Sequence, residues 1–233
     1  MNEATPIPDP SPPPADDPIA AGLRGFGPLG ILAILVIVFG GALFAPGSAL
    51  LILLWAWRSR TPWSELGFRR PQNWLATALL GILIGVALKF VLKAIVMPLL
   101  GADPVNHAYH FLVGNRAAVP GFLYTLIVGA GFGEETFFRG WMFERFGRLF
   151  GRSRGATLAT LLVTSSLFGL AHYSIQGLAG TEQAVITGLV LGALYLRTGS
   201  IWMSMIAHAA FDLTAYALIY WNLETRVAHF ILK

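Results

Sequence analysis

The sequence predicts an all-α protein, a polytopic membrane helix bundle of about six to eight spans, and three observations carry that prediction. Hydrophobic residues make up 55% of the chain and charged residues only 12%, with a mean hydropathy of +0.65, outside the range of soluble domains. Apolar runs of membrane length recur through the 233 residues, and each crossing of about 30 Å of hydrocarbon needs roughly 20 of them. Arginines gather in alternate connecting loops, as the positive-inside rule requires of a multi-pass protein. With no cysteine in the chain, disulfides, thiolate metal sites and a cysteine nucleophile are excluded. The basic residues sit at the ends of apolar runs rather than in a stripe interleaved with aromatics, so membrane lipid is the expected partner and nucleic acid is not.

Residues 1–18 form a Pro-rich, acidic stretch without the basic and apolar regions of a secretory signal, and are expected to be a disordered tail. Residues 19–233 are expected to be one membrane domain. From Gly27 to Trp57 the chain is apolar but broken by Pro46 and Gly47, which predicts a tight hairpin that leaves the N-terminus on the side of Arg58. The loop that follows carries Arg58, Arg60, Arg69 and Arg70, flanked by Trp55, Trp57, Trp63 and Trp74 as interfacial anchors, and is expected to be cytoplasmic.

Leu75 to Leu100 reads as the next span, with Lys89 and Lys93 one turn apart on one face, either lining a cavity or reaching toward the interface. The segment from Gly101 to Pro120 is polar, and its His107 and His110 read as loop histidines rather than metal ligands. A span from about Gly121 emerges into a second basic loop with Arg145, Arg148, Arg152 and Arg154. Ala156 to Tyr173 and Gln183 to Leu196 form two further spans around a turn without Lys or Arg, and Ile201 to Trp221 is the last. Gly188 and Gly192 make a GxxxG that would let helices approach closely.

Charge buried at bilayer depth is costly, so the few ionisable residues of the late spans are the place to seek function. They fall into three clusters at helical spacing. In GFGEETFFRG, Glu135 and Arg139 stand i, i+4 as an ion pair, while Glu134 projects about 100° away on an α-helix and stays free; Gly131 and Gly133 allow a bend or a close approach there. In SLFGLAHYS, Phe168 lies one turn from His172. In HAAFD, His208 lies one turn from Asp212. A free carboxylate, two histidines and an aspartate on three separate helices, with little other charge there, would otherwise be a large uncompensated cost.

EETFFR, FGLAH and HAAFD resemble the successive motifs EExxxR, FxxxH and HxxxN/D of the CPBP family, the CAAX proteases or Abi proteins, which includes the Rce1-type prenyl-protein proteases. The match covers about residues 120–215, and SELGFRR at 64–70 is similar to a less specific upstream element. The resemblance implies an intramembrane endopeptidase, expected in a bacterial plasma membrane, acting on a membrane-associated and hydrophobic or prenylated peptide. It implies Glu134, His172, His208 and Asp212 as catalytic positions, with Glu135, Arg139 and Phe168 in support. Asp212 departs from the Asn of the prenyl-protein proteases, and an anionic side chain is a poorer donor to an oxyanion. Two mechanisms agree with the resemblance, one with zinc held by Glu134, His172 and His208, the other with glutamate-activated water and no metal. A catalytically idle scaffold or bacteriocin-immunity protein and a proton-coupled transporter are the competing classes, the latter weakened by the absence of an internal repeat. No GxSxG supports a serine nucleophile, and Ser165 and Ser166 read as packing hydroxyls; GFGE lacks the aspartate of a GxGD protease.

Overall fold

The computed structural model describes residue 12 and residues 16–41 and 46–231. Most of the Pro-rich tail therefore lies outside the described residues. Its end does not: Asp17 caps the first helix through the Ala20 amide at 2.9 Å and pairs with Arg58 at 3.2 Å. The described chain is helical throughout. In order come α1 (Pro18–Arg24), α2 (Pro28–Gly40), α3 (Gly47–Arg58), α4 (Trp74–Leu99), α5 (Arg116–Phe150), α6 (Arg154–Thr198), α7 (Ile201–Tyr220) and α8 (Glu224–Ala228).

Four of these, α4 to α7, are long and apolar enough to cross a membrane, and α1 with α2, bent by 58°, makes a fifth if taken as one broken span. That count falls short of the six to eight expected from composition, for two reasons. At 13 and 12 residues, α2 and α3 reach only about 20 Å each, less than the hydrocarbon thickness. They do form the expected hairpin, since the Ser48 hydroxyl donates to the Ile37 carbonyl at 2.6 Å. The second is that α6 is counted once although its 45 residues double back at Gly177, whose φ of 63° is open to glycine at little cost. A Cβ at Gly188 would lie 3.1 Å from Ser165 Cα, so the two limbs run antiparallel with the glycines of the GxxxG at their contact.

The loops meet in two groups, one at each end of the bundle. At the first end, Arg24 and Arg148 both reach Glu65, at 3.2 and 3.1 Å, and Arg145 and Arg148 both pair with Glu144. Ser200 donates to the Arg69 carbonyl there at 3.0 Å, and Ile201 N–H to the Gly67 carbonyl at 2.9 Å, which seats the SELGFRR turn on the start of α7. At the second end, Lys93 pairs with Glu224 at 2.9 Å, and Gly114 N–H donates to the Tyr220 carbonyl at 3.0 Å. The N-terminal helix thus lies at the end of Arg58, as the hairpin predicts.

Helices α4 and α7 pack most closely, over small residues. A Cβ at Gly85 would collide with the Ala207 carbonyl oxygen, which is backbone and does not yield. Gly85→Val is expected to destabilise by about 1–3 kcal/mol through overpacking, read as a lowered melting temperature in detergent. A variant melting with the wild type would show that the helices do not meet there.

Candidate active site

The first motif lies where α5 departs from α-helical winding: Thr125–Glu134 and Thr136–Trp141 are wound as π-helix, with i→i+5 hydrogen bonds. The sequence spacing assumes an α-helix, and the difference matters because π segments mark functional sites more often than structural ones. Close packing accompanies it. A Cβ at Gly131 would come 3.0 Å from Ala209 Cβ, and one at Gly133 would come 2.8 Å from Pro46 Cβ, so these glycines serve close approach by α7 and by the α2–α3 turn.

Glu135 and Arg139 remain paired, Oε1 to Nη1 at 2.6 Å, with their side chains 0% and 2% exposed. The same Glu135 oxygen accepts a hydrogen bond from His208 Nδ1 at 2.8 Å, and Arg139 Nη2 donates to the Gly188 carbonyl at 3.2 Å. The Glu135–Arg139 pair thus ties α5, the second limb of α6 and α7 together. The spacing argument pairs His208 with Asp212, yet Asp212 Oδ2 lies 3.6 Å from Nε2, the far ring nitrogen, and it is Glu135 that orients the imidazole. This contact spans 73 positions, so no periodicity within a helix announces it.

His172 Nδ1 lies 2.8 Å from the Phe168 carbonyl, which only accepts, so that nitrogen carries the proton and a neutral ring presents Nε2 as an acceptor. The Phe168 ring is 4.7 Å from His172 and 5.7 Å from His208, both edge-on, and the Arg139 guanidinium covers it at 4.7 Å. Phe168 is therefore the spacer that holds both histidines and the arginine apart. Glu134 stands differently from its neighbour. Its side chain is 36% exposed where that of Glu135 is 0%; Oε2 of each is buried without a hydrogen-bond partner, and that of Glu134 lies 3.9 Å from His208 Nε2.

Glu134, His172, His208 and Asp212 all line one cavity of about 190 Å³. Its walls include residues that spacing alone did not single out: Tyr109, Gln176 and Gln183. Gln183 accepts from Lys89 Nζ at 3.0 Å, and Lys89 lies over the Phe211 ring at 5.0 Å, so this lysine reaches inward rather than to the interface. A lone glutamine in an apolar run was the available signal, by the same cost argument that selects the glutamates. Tyr109 sits on the loop before α5, within 3.5 Å of Gln176, and burial, followed by the charges of Asp212 and Glu134, pushes its phenol above its ordinary value. His107 and His110 stay outside the cavity. His107 pairs with Asp103 on the surface at 3.2 Å, and the Val105 amide, then His107, hold that carboxyl below its ordinary range.

Catalytic zinc needs three converging donors. Among the described residues no group of three His, Cys, Asp or Glu side chains is arranged to hold a metal ion.

Residues 116–214, which contain all three motifs, match the family model described as Type II CAAX prenyl endopeptidase Rce1-like. This segment is Rce1-like. The Rce1-like segment starts at the first residue of α5 and runs through α6 into α7, so it supplies Glu134, Glu135, Arg139, Phe168, His172, His208 and Asp212, while Lys89 and Tyr109 lie before it. The family whose model this segment matches is a CAAX-type protease family, and four helices of the described chain are long and apolar enough to cross a membrane. An uncharacterized 24.3 kDa protein of Escherichia coli is 29% identical over 130 aligned residues; the alignment covers 47% of this chain and 58% of the length of that relative. No solved structure matches.

Proposed function

We propose that the protein is an intramembrane endopeptidase that hydrolyses a peptide bond of a membrane-associated, hydrophobic or prenylated polypeptide with water activated by Glu134 and without a metal. The observation that carries this reading is Glu134, whose side chain is open to a cavity shared with two histidines and an aspartate while its Oε2 is buried with no hydrogen-bond donor. A buried carboxylate left unsatisfied is destabilising, and such a cost is retained where the group must receive something from a ligand or water.

Roles follow from what each neighbour already does. Water between Glu134 and His172 would give one proton to the carboxylate while the free Nε2 of His172 accepts the other hydrogen bond. As the water oxygen bonds to the peptide carbon, negative charge moves to the carbonyl oxygen. His208, doubly protonated between Glu135 on Nδ1 and Asp212 beside Nε2, faces that charge with its Nε2–H, and Glu135 holds the ring in place. Collapse of the tetrahedral species breaks the C–N bond, and Glu134 returns its proton to the leaving amine. Asp212, beside Nε2, then tunes His208 rather than donating to the oxyanion, which accommodates its departure from Asn.

The test is cleavage of a panel of prenylated and unmodified apolar peptides by purified protein in liposomes, with and without a zinc chelator. Cleavage unaffected by the chelator is expected. Cleavage lost with the chelator and restored by zinc would overturn the metal-free mechanism, and no cleavage by a folded protein would count against the protease.

A further inference from the structure

The two ends of the bundle differ sharply in charge. Among the described residues, the loops meeting at Glu65 and Glu144 carry Arg58, Arg60, Arg69 and Arg70, then Arg148, Arg152 and Arg154, then Arg197. At the opposite end, where Lys93 meets Glu224 and Gly114 meets Tyr220, the described arginines are Arg116 and Arg226. Lysine and arginine in short loops are retained on the cytoplasmic side. The arginine-rich end is therefore cytoplasmic and the other end is not.

The catalytic cavity belongs to the arginine-poor end. From Glu134 and His208 it extends past Gln183 and Lys89 to Asn106, Tyr109, Gln176 and Ile219, and no residue of the arginine-rich loops lines it. A second cavity, of about 400 Å³, shares Lys89, Asn106, Gln176 and Gln183 with it and continues to Asp103 and His107 at the same end. In the other direction the way is closed. Below Glu134 lie the buried Glu135–Arg139 pair and a core of Trp55, Leu66, Phe138, Trp141 and Phe168, and Pro46 presses against Gly133.

We infer that the catalytic cavity opens to the non-cytoplasmic side of the membrane, so that its substrate is an exported polypeptide segment, which enters through the vestibule at Asn106, Tyr109 and Gln176. The sidedness stands on geometry and charge alone; the word substrate rests on the protease reading above. Prenyl groups are added to polypeptides in the cytosol, so a cytosolic prenylated chain is the substrate this geometry disfavours.

The absence of cysteine makes the test direct. Single-cysteine variants His107→Cys, at the vestibule, and Arg154→Cys, in the arginine-rich loop, both exposed, are treated in intact cells with a membrane-impermeant maleimide before and after permeabilisation. Labelling of position 107 in intact cells, with labelling of position 154 only after permeabilisation, is the expected result; the reverse pattern overturns the inference. Peptide is then offered to sealed vesicles of each orientation, and cleavage is expected only where the face bearing residue 107 is outward. Cleavage only from the arginine-rich face overturns the inference even if labelling agrees. Silence in both orientations with the expected labelling overturns the protease reading, and the exported substrate with it, and leaves the sidedness standing.

Discussion

Glu134→Gln is expected to lose about a hundredfold to ten-thousandfold in peptide turnover, the range that one general base contributes, while melting at or above the wild-type temperature. Both halves follow from the same observation. Glutamine keeps the shape and one acceptor oxygen but cannot take a proton from water, so the attack step loses its base. It also removes a charge whose Oε2 is buried without a donor and lies beside the carboxylate of Glu135 in sequence, which relieves the folded state. Lost activity with unchanged or raised stability marks a residue kept for chemistry at the expense of stability. Purified wild type and variant compared by peptide cleavage and by thermal unfolding decide it, and full activity in the variant would refute the assignment of the base.

Arg139→Met is expected to destabilise the protein by about 3–5 kcal/mol, because breaking a buried ion pair from one side leaves the other charge uncompensated. Glu135 is 0% exposed, and without the guanidinium no permanent positive charge would be paired with its Oε1 beside His208 Nδ1. The arginine also covers the Phe168 ring and holds the Gly188 carbonyl, so α6 loses its tie to α5 at the same time. The double variant Glu135→Gln/Arg139→Met separates these effects. It is expected to recover much of the stability, since the buried charge is gone, but little of the activity, since the neutral amide in place of Glu135 offers His208 no anion. Thermal unfolding of the single and double variants reads the coupling, and an Arg139→Met protein that melts with the wild type would remove the pair from the scaffold.

What the sequence reveals about this site is what lies along one helix. The i, i+4 relations bring Glu135 to Arg139, Phe168 to His172 and His208 to within 3.6 Å of Asp212, because adjacent turns of one helix are neighbours whatever surrounds them. Relations between helices are different in kind. His208 on Glu135 and Lys89 on Gln183 join positions 73 and 94 apart, and hydropathy says only that each residue must find some partner. The π winding of α5 escaped the spacing argument because four residues also lie near one turn of the wider helix, so the Glu135–Arg139 pair survives either winding. The span count is not legible from composition for a related reason. Composition counts apolar residues but does not know that α2 and α3 are half-length helices whose turn lies beside Gly133.

That half-length hairpin imposes an order on biosynthesis. A helix of 12 or 13 residues cannot rest across the bilayer unaided, yet α2 and α3 leave the ribosome long before α5, against which Pro46 seats at Gly133. Until α5 has been made, the first part of the newborn chain has no finished place in the membrane. The packing surface for Pro46 comes only with α5, the same helix that brings Glu134.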